Sequence, residues 1–348
     1  MSRATLAVRF AGPLVSFQDA GRAGQLRYGV CASGPMDRLA YRAGQAALGN
    51  LTPATAIEIS LGGIQLECLE GDVSVAVTGG EFAVDLAGRK RDAWSVMTLQ
   101  AGETLSVRPG SSGSWAYLAV AGNLVTDRWL GHSATHASSG FGGGALASGQ
   151  ILEVEHAEVH HEREGEIPRF TLAEPGGNAG GSAAGSGDEM INARVVLGPQ
   201  ERFFSRDTID TFLSAPFKVS DACDRMGMRL DGPVLPLVDA LSIPSEPVLR
   251  GSVQVSGDGV PTVLLADHQT AGGYPKIATL IDCDTDTLAQ ARSGQIIRFE
   301  SILPGAAIVA ARENAERNRT YLERIAVPRG TLEQRLMREN LIHGEWFG

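Results

Sequence analysis

Residues 56–80 read AIEISLGGIQLECLEGDVSVAVTGG. Short runs of Val, Ile and Leu are cut by glycines before any of them is long enough to form a helix. The same rhythm recurs in LAVRF, TLSVRPG, WAYLAVAG, ILEVEH, RVVLGP, VQVSGDG, TVLLADH, KIATLIDCD and QIIRFESI. Apolar runs of this length bounded by turn residues mark strands of barrels or sandwiches rather than βαβ units. The 43 glycines supply the turns.

With 348 residues the chain exceeds one ordinary domain and points to about two. The pattern breaks at EPGGNAGGSAAGSGDEM, where Gly, Ala and Ser replace any periodicity. This divides the chain into a β-rich domain over 1–173, a linker over 174–189, a second β-rich domain over 190–303 and a helical tail over 304–348. Helices are expected at 36–50, with Leu39, Ala43, Ala46 and Ala47 on one face, at 207–215 capped by Asp207, and at 284–292 capped by Asp284 or Asp286. The tail is expected to form one charged helix from Pro304 to Ile325 and another after Pro328, packing on a barrel or on a partner.

Apolar residues make up 43% and charged residues 20% of a chain with net charge -10. That is globular composition, and its field repels nucleic acid and anionic lipid. Neither a signal segment nor an apolar run of about 18 residues is evident, so a cytoplasmic protein without a membrane span is expected. Cys31, Cys68, Cys223 and Cys283 are widely spaced and are expected to be reduced and mostly buried.

The glycine-rich loops are not nucleotide loops. In ADHQTAGGYPKIA, residues 266–278, Lys276 is followed by Ile277 rather than Ser or Thr, and Pro275 removes an amide donor. FGGGALASG lacks a βαβ context and reads as a barrel-rim turn. His132 and His136, like His156 and His160, stand four apart with no third ligand implied, so no metal site is expected. No GxSxG motif or thiol-enzyme signature is present.

What stands out instead is a set of polar, glycine-rich stretches: FQDAGRAGQLRYGVCASGPMD, DRMGMRLDGP, GSVQVSGDG and ADHQTAGGYPKIATLIDCD. With LGN and AIEISLGG, in this order over about residues 5–300, they closely resemble the biotin-dependent carboxyltransferase family that includes allophanate hydrolase subunit 2 and the 5-oxoprolinase C subunit. The resemblance implies a mainly β chain of two cyclophilin-like β-barrel domains, with short helices and a helical tail. The last stretch places it nearer the 5-oxoprolinase branch than the urea amidolyase branch. It implies the C subunit of an ATP-dependent 5-oxoprolinase, acting with the A and B subunits of that enzyme and inactive alone. Two alternatives stay open: a biotin-dependent carboxyltransferase acting on urea or a related amide, and a non-catalytic regulator that binds another protein of its complex or a kinase inhibitor.

The chain carries neither an ATP motif nor a Met-Lys-Met biotin carrier segment, so ATP is expected on the complex and biotin, if used, on a partner. Either chemistry needs negative charge stabilised at a carbonyl or ureido oxygen. The expected site is a cleft between the domains. Asp267 or His268 would be the base and Tyr274 a proton donor. Arg250 or Lys276 would hold the substrate carboxylate, with the carbonyl on Gln269 and the amides of Gly272 and Gly273. Gln254 completes that side, and Gln18, Asp19, Ser33 and Asp37 form the opposite wall. Homo-oligomer formation is left open.

Overall fold

In the strand Ile64–Glu70, Ile64, Leu66 and Cys68 are buried while Gln65 and Glu67 are half-buried, the two-residue period of a strand with one covered face. The strand Val73–Gly79 is buried along its whole length, because a helix lies across its second face. The computed structural model describes residues 2–51, 53–170, 190–238 and 242–328. The linker expected at 174–189 and the second tail helix lie outside the described residues.

The first half carries two sheets. One runs in the order Asn123–Leu124, Ile151–Glu155, Arg3–Ala11, Ile64–Glu70, Thr104–Pro109, Phe82–Leu86, Arg89–Asp92; the other runs Gly165–Glu166, Ser95–Leu99, Val73–Gly79, Ala116–Val120, Ala56–Ile59, Ser16–Gln18. In the second half seven strands close into a barrel: Ile191–Leu197, Lys276–Leu280, Ser252–Val255, Pro261–Leu264, Gly227–Asp231, Phe217–Cys223 and Ile296–Ser301. Closure comes from a parallel pairing of the first and last of these, with Ile191 opposite Ile297, which leaves no free edge. Glu246–Pro247 and Ala271–Gly272 form a small separate sheet. The chain is mainly β, as its glycine-cut apolar runs imply.

Helix α1, Arg38–Leu48, begins at Asp37, whose carboxylate accepts the Ala40 amide at 2.9 Å, and ends at Gly49 with φ 78°. It packs over the strands Val73–Gly79 and Ala116–Val120. Gly44 lies at that crossing, where a Cβ would come 3.2 Å from Thr78 Oγ1, a tight contact. Helix α2, Arg206–Ser214, is capped by Ser205 rather than Asp207: the Ser205 hydroxyl accepts the Thr208 amide at 3.1 Å. Helix α3, Thr285–Ala289, has no side-chain cap. Asp284 instead accepts from Arg194, and Asp286 from Arg38 and Arg250, so ion pairing takes both acids expected to cap it.

Helix α4, Pro304–Ala326, packs on α1, burying Tyr321 and Ile325, and the Tyr321 hydroxyl donates to Pro168 O at 2.8 Å. The cysteines depart from expectation: Cys68 alone is buried, Cys31 and Cys283 are half-buried, and Cys223 is exposed where its strand slips register. Among the described residues no helix is long and apolar enough to cross a membrane.

Candidate functional site

Two polar clusters gather where the two halves meet, and a third lies on the closed barrel. The first is built on Glu58, the one acid in the apolar strand AIEI, which is fully buried. Across the seam Arg225 leaves the turn after Phe217–Cys223, and its Nη1 donates to Glu58 Oε1. The same guanidinium donates through Nε and Nη2 to both oxygens of Asp267, each at 2.9 Å, and through Nη2 to Gly34 O at 2.7 Å. The second Glu58 oxygen accepts from the Tyr117 hydroxyl and the Met36 amide, both at 2.8 Å. The Ala137 amide donates to Asp267 Oδ2 at 2.9 Å.

Burial works against charge on Arg225, but Glu58 and Asp267 outweigh it and hold its pKa above the ordinary arginine value. Burial likewise works against charge on Asp267, and Arg225 reverses that, holding it below the usual carboxylate range. Asp267 is therefore an anion with both oxygens engaged.

The second cluster joins α1 to the segment around α3. Arg38 donates to Asp286 at 2.7 Å and to Asp282 at 2.8 Å. Arg250 donates to Pro35 O at 3.0 Å and to Met36 O, and lies 3.4 Å from Asp286. Nη1 and Nη2 of its guanidinium are thus engaged by backbone carbonyls, while Nε has no partner among the described residues. Gln290 donates to Asp37 Oδ2 at 2.9 Å and accepts the Ser114 and Trp115 amides. Burial, then Asp286, push the Asp37 carboxyl up to about 7.

The residues expected to form the first-domain wall are mostly pinned within it. Gln18 donates to Ser16 Oγ and Thr135 O, and Asp19 accepts from the Gly21 and Ser133 amides. Asp37 caps α1. Ser33, at φ 52°, is buried and its hydroxyl has no partner among the described residues. Three of the four hold the loops in place rather than facing a cleft.

The third cluster lies on the closed barrel, and here the expected residues do come together. His268 is buried, with Nδ1 2.6 Å from Gln269 O. A carbonyl only accepts, so the proton sits on Nδ1 and the Nε2 lone pair is left available. Burial lowers the His268 pKa against the opposing pull of that carbonyl, keeping the ring neutral. Gln269 Nε2 donates to Gln254 Oε1 at 3.0 Å. Gly272 lies against this amide pair, and a Cβ there would stand 2.5 Å from Gln254 Nε2. The Gly273 carbonyl accepts the Ile243 amide at 2.8 Å. Tyr274 is about half exposed and, with Gln254, Gln269, Met226 and Arg229, lines a cleft of about 410 Å³.

Lys276 is buried; its backbone amide donates to Gln200 Oε1 at 2.8 Å, and Gln200 in turn donates to Glu246 at 2.6 Å. Glu58, Tyr117, Gln200 and Glu246 are members of these clusters that the sequence pattern does not single out. Glu58 had a signal, an acid centred in an apolar strand. Gln200 and Glu246 had none, because they approach Lys276 from segments far away in sequence.

The carboxyltransferase domain model, subdomains A and B, matches residues 28–301. The 5-oxoprolinase C subunit of Haemophilus influenzae is 32% identical over 313 residues, covering 89% of this chain and 94% of that protein. The 5-oxoprolinase C subunit of Escherichia coli is 31% identical over 320 residues, covering 91% and 96%. Among solved structures, TTHA0988 superposes with a TM-score of 0.73 at 32% identity over 86% of this chain, which spans 56% of that one. The Kluyveromyces lactis urea amidolyase gives a TM-score of 0.80 at 24% identity over 92% of this chain and 20% of that one, a likeness of fold. The family model spans most of the chain, both 5-oxoprolinase relatives match it nearly end to end, and the chain belongs to the carboxyltransferase domain family, subdomains A and B.

Proposed function

We propose that this chain is the C subunit of a multi-subunit, ATP-dependent 5-oxoprolinase, converting 5-oxoproline to L-glutamate together with the A and B subunits. The observation that carries this is similarity along the chain, 32% and 31% identity to two 5-oxoprolinase C subunits over 89% and 91% of this chain. The two 5-oxoprolinase relatives are covered over 94% and 96% of their sequences. The Saccharomyces cerevisiae urea amidolyase, at 27% identity, is covered over only 16%.

The chemistry opens an unstrained lactam: the ring C–N bond breaks, a water oxygen bonds to the carbonyl carbon, and the ring nitrogen gains a proton. ATP supplies the driving force from a partner chain, since this chain has no P-loop sequence. The contribution assigned to this chain is proton transfer and binding. His268, neutral and with Nε2 unprotonated, takes the proton from the attacking water. Asp267, next in sequence and fixed by Arg225, stabilises the imidazolium as it forms.

The test is reconstitution. Purified A and B subunits with this chain, ATP and 5-oxoproline should release glutamate, and omission of this chain should stop it. His268→Asn should lower kcat by about 10²–10⁴-fold. No glutamate from the complete set would overturn the functional proposal, and an unchanged rate for His268→Asn would overturn its role as base.

A further inference from the structure

Three cations among the described residues are buried almost completely: Arg22, Arg225 and Lys276. Arg22 donates through Nε to Trp129 O and through Nη2 to Ala134 O, with Nη1 unpartnered among the described residues, and Arg225 is fully engaged at the seam. Lys276 Nζ is different, for it makes no hydrogen bond among the described residues. The carboxylate near it, Glu246 Oε2, is 3.8 Å away, beyond hydrogen-bond distance. A buried ammonium with three unused donors is costly to keep, unless something else occupies those donors when the protein works.

Its neighbours define what that would be. Gln254 stands directly opposite Lys276 across the barrel ladder, next to a register shift, so the two side chains share a face. Gln269 holds the Gln254 oxygen, which leaves the buried Gln254 Nε2 with a single long hydrogen bond, 3.4 Å to Tyr274 O. Ammonium and amide thus present under-used donors side by side. On the other flank Glu246 is about half exposed, with Oε2 already tied to Gln200. It can accept one more N–H from a ligand. Donors for an anion beside an acceptor for an N–H match a carboxylate whose α carbon carries an N–H.

We propose that Lys276, Gln254 and Glu246 form a subsite for a small α-amido carboxylate, with the carboxylate on Lys276 and Gln254 and the N–H on Glu246. This rests on the proposal that the chain handles 5-oxoproline, and adds which groups hold which end of it. Gly272 is part of the subsite, since any side chain there displaces the Gln254 amide.

The purified full-length chain is titrated by calorimetry with 5-oxoproline, with pyrrolidin-2-one, which lacks the carboxylate, and with cyclopentanecarboxylate, which lacks the N–H. 5-Oxoproline should bind at least tenfold more tightly than either. Lys276→Met should weaken 5-oxoproline about tenfold or more while leaving pyrrolidin-2-one unchanged. Gly272→Ala should weaken it by several-fold, and Glu246→Ala should abolish the preference over cyclopentanecarboxylate. Circular dichroism of each variant confirms that it is folded. Equal binding of 5-oxoproline by Lys276→Met and wild type overturns the subsite, as does no binding of any of the three ligands by the wild-type chain. Glutamate release by the reconstituted complex separates the two proposals. Release undiminished in Lys276→Met sinks the subsite and leaves the function standing, whereas none from the wild-type set sinks the function while the binding data still decide the subsite.

Discussion

Arg225 and Lys276 are both buried cations on the closed barrel, some fifty residues apart in sequence, and they are treated in opposite ways. Arg225 has two carboxylates and a carbonyl around its guanidinium, one of the carboxylates reaching across from the first half of the chain. Lys276 has one carboxylate beyond bonding distance and no acceptor among the described residues. A saturated cation spends its interactions on holding the fold, whereas Lys276 has donors left over. The contrast gives the seam a structural role and, on the subsite proposal, leaves Lys276 for a ligand, although both stretches look equally polar in sequence.

The largest effect that would test this contrast is at Arg225. Arg225→Met leaves Glu58 and Asp267 buried without their common partner, and breaking a buried pair from one side costs about 3–5 kcal/mol. Urea titration should show a loss of that size; a loss under about 1 kcal/mol would mean the seam does not clamp the halves. Asp37 gives the next effect, and a pH signature. Its folded carboxyl is pushed to about 7, above its unfolded value, by burial and by Asp286. Such a group favours the folded state fully at pH below its unfolded pKa, and that contribution is lost as pH rises through about 7. Asp37→Asn keeps a side-chain oxygen for the Ala40 amide and removes the titration. The difference in stability between variant and wild type should shift in the variant's favour between pH 4 and pH 8, by on the order of a few kcal/mol. A constant difference across that range would show that Asp37 does not titrate there.

Much of the fold was legible because it rests on local signals. Glycine-cut apolar runs gave the strands, and Asp37 with Gly49 bracketed α1. The misassigned caps show where local signals stop. Asp207 and Asp284 are good capping residues by type, but Ser205 stands nearer the first free amides of α2, and Arg194 draws Asp284 into an ion pair. The candidate site was legible in its composition and not in its wiring. ADHQTAGGYPKIA supplied His268, Gln269, Gly272, Tyr274 and Lys276, which do lie together. Nothing in sequence reveals that Pro35 and Met36 present their carbonyls to two nitrogens of Arg250. Glu246 and Gln200 reach Lys276 only through the closure of the barrel.

The smallest expected effect is the sharpest test of the contrast. Lys276→Met removes a charge that no hydrogen bond satisfies and leaves a side chain of similar length and volume in its place. Glu246, its distant partner, is about half exposed and stays hydrated without it. Losing the weak pairing is thus set against relief of the ammonium's desolvation, and the unfolding free energy from urea titration should change by less than about 1 kcal/mol, with either sign. The same charge-removing change at Arg225 is expected to cost several times as much. If Lys276→Met lost about 3 kcal/mol or more, the amine would be holding the barrel as Arg225 holds the seam, and the distinction between a saturated and an open cation would fail at its own test case.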